Sequence, residues 1–178
     1  MDFVFKITSW WRKREVRAYF EEQDYLDATA LFVRLKQFSV DHHGEFAIHV
    51  NDLELRFDLD PDLSTIFEEL PDVLEKLTSE TTTPVDLNFF EQGTDLTFWM
   101  ERKADHINVR FECGPYADKS FSKLPDLTFP ISARMFLEEW IHFAQLILKA
   151  LEDSHPKLIH DDSYREYRDR LQVLRENL

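Results

Sequence analysis

Residues 83–113 alternate between apolar and polar side chains in three short runs, and this alternation constrains the fold more than any other feature of the sequence. The apolar side chains that would share one face are Val85, Leu87, Phe89, Leu96, Phe98, Met100, Ile107, Val109 and Phe111. Because successive side chains of a strand point to opposite faces of a sheet, each run predicts a half-buried strand. Turn-forming residues at Gln92-Gly93 and from Lys103 to Asp105 separate the runs, so the segment predicts an antiparallel meander.

The first part of the chain also shows strand-like alternation. In residues 2–8, and again in residues 14–22, an apolar side chain recurs at every second position, so the apolar side chains of each segment would share one face. This alternation predicts two strands. Trp10, Trp11 and the basic run from Arg12 to Arg14 would then lie in the connection between them.

The next two segments allow more than one structure. Residues 30–42 place Leu31, Val33 and Leu35 on one face and are rich in β-branched and aromatic types, so we expect a strand, although the same residues also fit a helix. Residues 46–57 change apolar parity at Asn51-Asp52, which requires either a β-bulge or a tight two-residue turn.

Three segments predict amphipathic helices. Asp60 and Pro61 form a typical helix start, and Pro71 should kink or split the helix that follows. Its apolar stripe contains Leu63, Ile66, Phe67, Leu70, Leu74 and Leu77. Ser132 is the expected N-cap of a second, strongly apolar helix, and a terminal helix from about Ser163 has a narrow apolar seam that would dock on its own domain or on a partner.

These elements predict one α+β domain over residues 1–178, in which amphipathic helices pack on an antiparallel meander. The sheet-rich part would be residues 1–113 and the helical part residues 131–178. Residues 114–130 hold three prolines and would form a long irregular connection.

The formal net charge of −14 and the low glycine content restrict the classes of ligand. A field of this sign repels nucleic acid, anionic lipid and phosphate-rich ligands and attracts cationic surfaces, unless the charge serves solubility alone. With only three glycines the chain has neither a dinucleotide fingerprint nor a Walker loop. The lone Cys113 and the lack of a signal peptide or membrane span predict a cytoplasmic protein with a structural thiol.

No catalytic, metal or cofactor motif is recognisable. Residues 58–69 place acids at four positions of a calcium-binding loop, but Leu63 occupies the position that requires glycine. The histidines lack metal-ligand spacing, and neither a GxSxG elbow nor a Cys-His signature is present. We therefore expect no metal, no cofactor and no catalysis, although carboxylates brought together by the fold from distant positions would escape this search.

Two aromatic residues interrupt the polar side of the meander. Phe90 and Trp99 share the parity of Asp86 and Asn88, opposite to the apolar face. Exposed aromatics on a polar surface are frequent binding hot spots, so both are candidate partner-binding residues. If a helix covers this face as well, they are ordinary core residues.

One stretch resembles a known family. The segment DYLDATALFVRL (24–35), a long β segment, a Leu-rich helix and a strand ending in Phe89-Phe90-Glu91 resemble the WapI-type immunity proteins of bacterial polymorphic toxin systems. In that family a Tyr-Trp-Asp-Ala-x-Trp-Leu segment enters the sheet, a helix follows, and a paired strand carries a glutamate. Here Leu26 and Ala30 stand at the tryptophan positions, and Thr29 replaces a usual asparagine.

The resemblance implies a protein that binds and blocks one cognate toxin and has no catalysis of its own. Many such toxins are basic nucleases, which an acidic partner attracts. The candidate partner-binding residues, taken from the acidic stretches and the two aromatics, are Asp24, Asp27, Asp58, Asp60, Asp62, Phe90, Glu91 and Trp99. The alternatives are a small hydrolase with an unrecognised carboxylate or histidine site, and an accessory interaction protein that dimerises through its terminal helix.

Overall fold

The computed structural model describes residues 4–15, 20–79, 83–90, 94–117, 121, 124 and 127–178. Its first sheet contains strands β1 (Phe5–Lys13), β2 (His42–Val50) and β3 (Leu53–Asp58) in the order β1-β2-β3, all antiparallel. The change of parity at Asn51-Asp52 is a two-residue hairpin turn, in which Asn51 has a φ of 53° and Val50 pairs with Leu53.

The predicted connection after the first strand is wrong. Trp10, Trp11, Arg12 and Lys13 continue β1 and pair with β2 as far as His42, so the basic run ends a strand. Of the predicted second strand at residues 14–22, residues 16–19 lie outside the described residues. The described residues of that segment are not in a strand, and the chain forms a short 3₁₀ helix at Glu22–Tyr25.

Residues 30–41 form a helix and His42 begins β2, which corrects the strand predicted for residues 30–42. Helix α1 (Ala30–Asp41) begins at Thr29, whose side chain accepts a hydrogen bond from the Phe32 N–H at 3.0 Å. Leu31, Leu35 and Phe38 recur at helical spacing and are buried, so the helical period decides the structure of this segment.

The meander is confirmed and is larger than expected. Strands β4 (Val85–Phe89), β5 (Leu96–Lys103), β6 (His106–Cys113) and β7 (Thr128–Ser132) form an antiparallel sheet in chain order. Strand β7 replaces the last part of the predicted irregular connection. Its Pro130 pairs with Asn108 at the edge of the sheet, where the missing N–H of a proline is tolerated.

The predicted helix after Asp60 is broken into pieces. An irregular turn at Leu59–Leu63 contains a cis Asp60-Pro61 peptide bond, and the short α2 (Ser64–Ile66) and the longer α3 (Leu70–Thr78) come next. Asp60 has the extended φ/ψ angles that are usual for a residue before a helix, and its carboxylate pairs with Lys36 of α1. The break before Pro71 is confirmed, and the whole predicted apolar stripe is buried.

Helix α4 (Ala133–Ser154) packs against both sheets. Ser132 accepts a hydrogen bond from the Met135 N–H at 3.5 Å, which confirms the predicted cap. The Phe136 ring lies 4.7 Å from Phe5 of the first sheet and 6.1 Å from Phe98 of the second. The α+β fold therefore has one aromatic core between its sheets, with α4 inside it.

Helix α5 (Asp162–Glu176) buries its predicted seam against the same chain. Tyr167 is 5 % exposed, stacks on Phe67 with 4.7 Å between ring centroids, and donates a hydrogen bond to the Phe67 carbonyl at 2.8 Å. A homodimer through this helix stays a prediction, and it would have to use the outward face of α5. Across the described ranges, no helix combines the length and apolarity that a membrane span requires.

We expect Tyr167→Phe to lower the free energy of unfolding by about 1 kcal/mol at neutral pH, because the hydroxyl loses its carbonyl partner. Burial raises the pKa of Tyr167 well above its usual value. Above pH ~10 the unfolded chain releases a proton that the folded chain keeps, so stability should fall with rising pH and fall less in the variant. Urea unfolding at neutral pH and above pH ~10 measures the free energy of unfolding of the wild type and the variant. Tyr116→Phe, at an exposed position, is the control, and an equal alkaline loss in wild type and Tyr167→Phe would contradict the assignment.

Candidate partner-binding surface

One end of the molecule collects several candidate residues. Phe89, Leu96 and Cys113 lie side by side on β4, β5 and β6. The Phe57 ring at the end of β3 stacks on Phe89 with 4.3 Å between centroids. The residues that follow these positions, Asp58 after Phe57 and Phe90 after Phe89, therefore lie at the same end of the two sheets.

Two large aromatic side chains at this end are exposed. Phe90 is 73 % exposed, and Tyr116, in the turn after β6, is 81 % exposed. Exposed aromatic side chains next to carboxylates are typical of protein-binding hot spots. We call the surface formed by Asp58, Asp60, Phe90, Asp95 and Tyr116 the Phe90 end.

A short network fixes the backbone around Tyr116. Asp95 has a φ of 32°, its side chain accepts a hydrogen bond from the Tyr116 N–H at 2.8 Å, and its carbonyl accepts one from the Gly114 N–H at 2.7 Å. A Cβ at Gly114 would lie 2.1 Å from the Asp95 carboxylate, so a larger residue there would displace this carboxylate from the Tyr116 N–H. Tyr116 is thus presented from a constrained turn, which lowers the entropy cost of using it in binding.

Asp62 is not a surface residue, which corrects its prediction as a partner-binding residue. Asp62 is only 3 % exposed. The carboxylate accepts hydrogen bonds from the Asp58 N–H and from the Thr94 hydroxyl, both at 2.9 Å. Asp62 therefore ties the end of β3 to the residues before β5 and has a structural role.

Asp58 and Asp60 remain accessible beside this buried carboxylate. Asp60 forms an ion pair of 2.8 Å with Lys36 of α1. Asp58 is exposed and pairs across the strands with Glu45. Partial burial and the negative charge of Glu45 raise the pKa of Asp58. Arg56 lies 3.8 Å from Glu45 and offsets part of the repulsion between the two carboxylates. A cation from a partner would offset the rest.

The other acidic candidates are less informative. Asp27 is exposed just before α1, and no described contact joins it to the Phe90 end. The side chain of Asp24 and all of Glu91 lie outside the described residues. Phe90 directly precedes Glu91 in the chain.

Trp99 lies on the outer face of the second sheet, between its cross-strand neighbours Asp86 and Arg110. Its indole N–H donates to a Glu112 carboxylate oxygen at 2.9 Å, and the residue is only partly exposed. The outer side chains of β4–β6 are half-buried or exposed, so within the described residues this face is not covered by a helix.

The same face carries a groove. It has a volume of ≈ 400 Å³ and is lined by Pro84, Trp99, Met100, Glu101, Asn108, Arg110 and Thr128. A single carboxylate, from Glu101, lines it. Trp99 is therefore held in a polar environment and is a weaker hot-spot candidate than Phe90.

The candidate metal ligands and the Cys113 thiol make contacts within the fold. In the described part of the chain no group of three or more His, Cys, Asp or Glu side chains has the arrangement of a metal site. Of the calcium-like segment, Asp62 is used within the fold and Asp60 is paired with Lys36. The Cys113 thiol donates to the Phe121 carbonyl at 3.0 Å, and burial raises its pKa, which fits a structural thiol.

Sequence reasoning missed Tyr116 and Trp10, which are 81 % and 47 % exposed. Tyr116 lies in a segment of scattered charges and prolines without periodicity, so the sequence offers no signal for its exposure. Comparison with protein-family models, with curated proteins and with solved structures found no match.

Proposed function

We propose that this protein is an immunity-like binding protein that neutralises a cognate bacterial toxin domain by direct contact, in the cytoplasm of the cell that makes the toxin. The observation that carries the proposal is the Phe90 end, where two exposed aromatic side chains lie beside the exposed carboxylate of Asp58 and the partly exposed ones of Asp60 and Asp95. The resemblance of residues 14–112 to WapI-type immunity proteins supplies the class of partner.

Charge supports a basic partner. The chain has 35 Asp and Glu residues against 21 Lys and Arg residues. A basic toxin domain would be attracted at long range, which raises the association rate, while the aromatic side chains would supply short-range contacts. The Asp58 and Glu45 pair adds a local site at which a partner lysine or arginine is favourable.

The test is co-expression with the toxin domain encoded beside this gene. We expect a stable complex on size-exclusion chromatography and protection of the host from toxicity. A toxin domain that forms no complex and remains toxic would contradict the proposal.

Charge reversal locates the surface. Asp58→Lys should slow association about tenfold at low salt, because it replaces a carboxylate at the Phe90 end with a cation. Asp105→Lys makes the same change in the turn between β5 and β6, at the opposite end of that hairpin, and should have a much smaller effect. Stopped-flow mixing measures both rates, and equal rates in the two variants would remove the Phe90 end from the proposal.

A further inference from the structure

The outer edge of β1 presents a defined set of backbone N–H groups. The N–H groups of Phe5 and Ile7 point away from β2, because they donate to Met135 Sδ at 3.4 Å and to Glu139 Oε2 at 2.9 Å on α4. Hydrogen bonding alternates along an antiparallel strand, so the N–H groups of Ser9, Trp11 and Lys13 point to the same edge. The Arg14 N–H donates to the Asp41 carbonyl on the opposite side, as this alternation requires.

Helix α4 covers only the first half of this edge. Among the described residues, no hydrogen-bond partner is found for the N–H groups of Ser9, Trp11 and Lys13. An uncovered sheet edge of this kind is a template for one more strand. The open half is therefore the five-residue stretch Ser9–Lys13 of β1.

The open half ends in the only run of three consecutive basic residues in the sequence, from Arg12 to Arg14. Arg12 and Lys13 are exposed, and within the described part of the chain neither has a carboxylate within ion-pair distance. They point to opposite faces of the sheet, because side chains alternate along a strand. Trp10, 47 % exposed, shares the face of Arg12 and lies edge-on to His43 at 5.5 Å.

We propose that Ser9–Lys13 binds an extended acidic segment of a partner protein as a fourth strand of the first sheet. Backbone groups of the segment would pair with those of Ser9, Trp11 and Lys13. Two adjacent carboxylates of the segment would face opposite sides of the sheet, and one would meet Arg12 while the other meets Lys13. An apolar side chain two positions away would contact Trp10.

Charge decides the kind of strand that can be added. The cations repel a second copy of this edge and attract a segment with carboxylates in the same register. Glu45, the cross-strand neighbour of Trp10, lies about 10 Å from the position of an added strand, which is two strand spacings. Screening at physiological salt has a length of about 8 Å, so Arg12 and Lys13, which lie on the edge strand itself, act on an added strand more strongly than Glu45 does. Glu15 lies just beyond the strand, where the three cations from Arg12 to Arg14 outnumber it.

The test uses a short acetylated and amidated peptide of valine and threonine with two adjacent glutamates at its centre. Fluorescence anisotropy measures its affinity for the full chain. We expect Arg12→Glu with Lys13→Glu to weaken binding by at least about tenfold. Lys157→Glu, at an exposed cation of another segment, should change binding less than about twofold.

Two further measurements separate strand addition from general anion binding. Ser9→Pro removes one outward N–H and leaves the bonds to β2, so it should weaken binding, as should N-methylation of alternate peptide residues. In the wild-type protein, the peptide should slow amide hydrogen exchange at Ser9, Trp11 and Lys13 about tenfold or more.

Three outcomes would overturn the proposal. Binding without slower exchange at these three amides would show a general anion patch. Equal binding of a lysine version of the peptide would remove the role of charge. No binding at all would show that the cations only protect the edge from pairing. None of the residues changed here belongs to the Phe90 end, although Trp10 and Asp58 are both cross-strand neighbours of Glu45. The variants of Asp58, Phe90 and Tyr116 therefore test the proposed toxin binding independently of this experiment.

Discussion

Replacing Asp62 with alanine should lower the free energy of unfolding by about 3 kcal/mol. The buried carboxylate accepts hydrogen bonds from the Asp58 N–H and the Thr94 hydroxyl, and both donors would lose that acceptor inside the protein. Bonds to a charged acceptor are stronger than neutral ones, and a buried donor without a partner keeps its full desolvation cost. Urea unfolding followed by circular dichroism measures the loss.

Neighbouring substitutions provide the controls. Thr94→Val removes the hydroxyl donor alone and should cost about 1 kcal/mol. Asp60→Ala breaks a partly exposed ion pair with Lys36 and should also cost about 1 kcal/mol or less. If Asp62→Ala were no more destabilising than Asp60→Ala, the structural role of Asp62 would be wrong.

The contrast between Asp60 and Asp62 shows a limit of the sequence. Both are acids two positions apart in an acidic stretch, and both were candidate partner-binding residues. Only the fold distinguishes them, because Thr94 is 32 residues away in the chain. Burial of a charged side chain depends on such distant partners, and no local pattern records it.

Strict alternation was a reliable guide where one face of a strand meets the core and the other meets water. Strands β4, β5 and β6 satisfy this condition, and their apolar residues are buried as expected. In residues 30–42, by contrast, Leu31 and Leu35 fit both a period of two and a helical spacing of four. The Thr29 cap and Phe38 favour the helix, and packing against the core selects it.

The strand β7 and the surface around Tyr116 could not be predicted for a different reason. Thr128–Ser132 holds Pro130, which argues against a strand, and the segment is stable only because β6 supplies its ladder. The position of Tyr116 depends on the turn that Asp95 and Gly114 form together. Asp95 directly precedes β5, and Gly114 directly follows β6. The Phe90 end is thus a tertiary feature of which the sequence indicated only Phe90 and the two aspartates.

Replacing Phe90 or Tyr116 with alanine should weaken toxin binding by about 2 kcal/mol each, or ~30-fold in Kd. Both aromatic side chains are mostly exposed in the isolated chain, so stability should change by less than about 0.5 kcal/mol. Isothermal titration calorimetry with the co-expressed toxin domain measures the affinity, and thermal unfolding shows that each variant is folded.

Val173→Ala is the matched control, because Val173 is 56 % exposed on α5 and belongs to neither proposed surface. It should leave Kd unchanged within about twofold. Trp99→Ala separates the two aromatic regions, since Trp99 is partly buried and already donates to Glu112. A loss at Trp99 that exceeds the losses at Phe90 and Tyr116 would move the contact to the groove on the outer face of the second sheet. Losses only at Phe90 and Tyr116 would place it at the end where Phe57 stacks on Phe89, beside the carboxylates of Asp58 and Glu45.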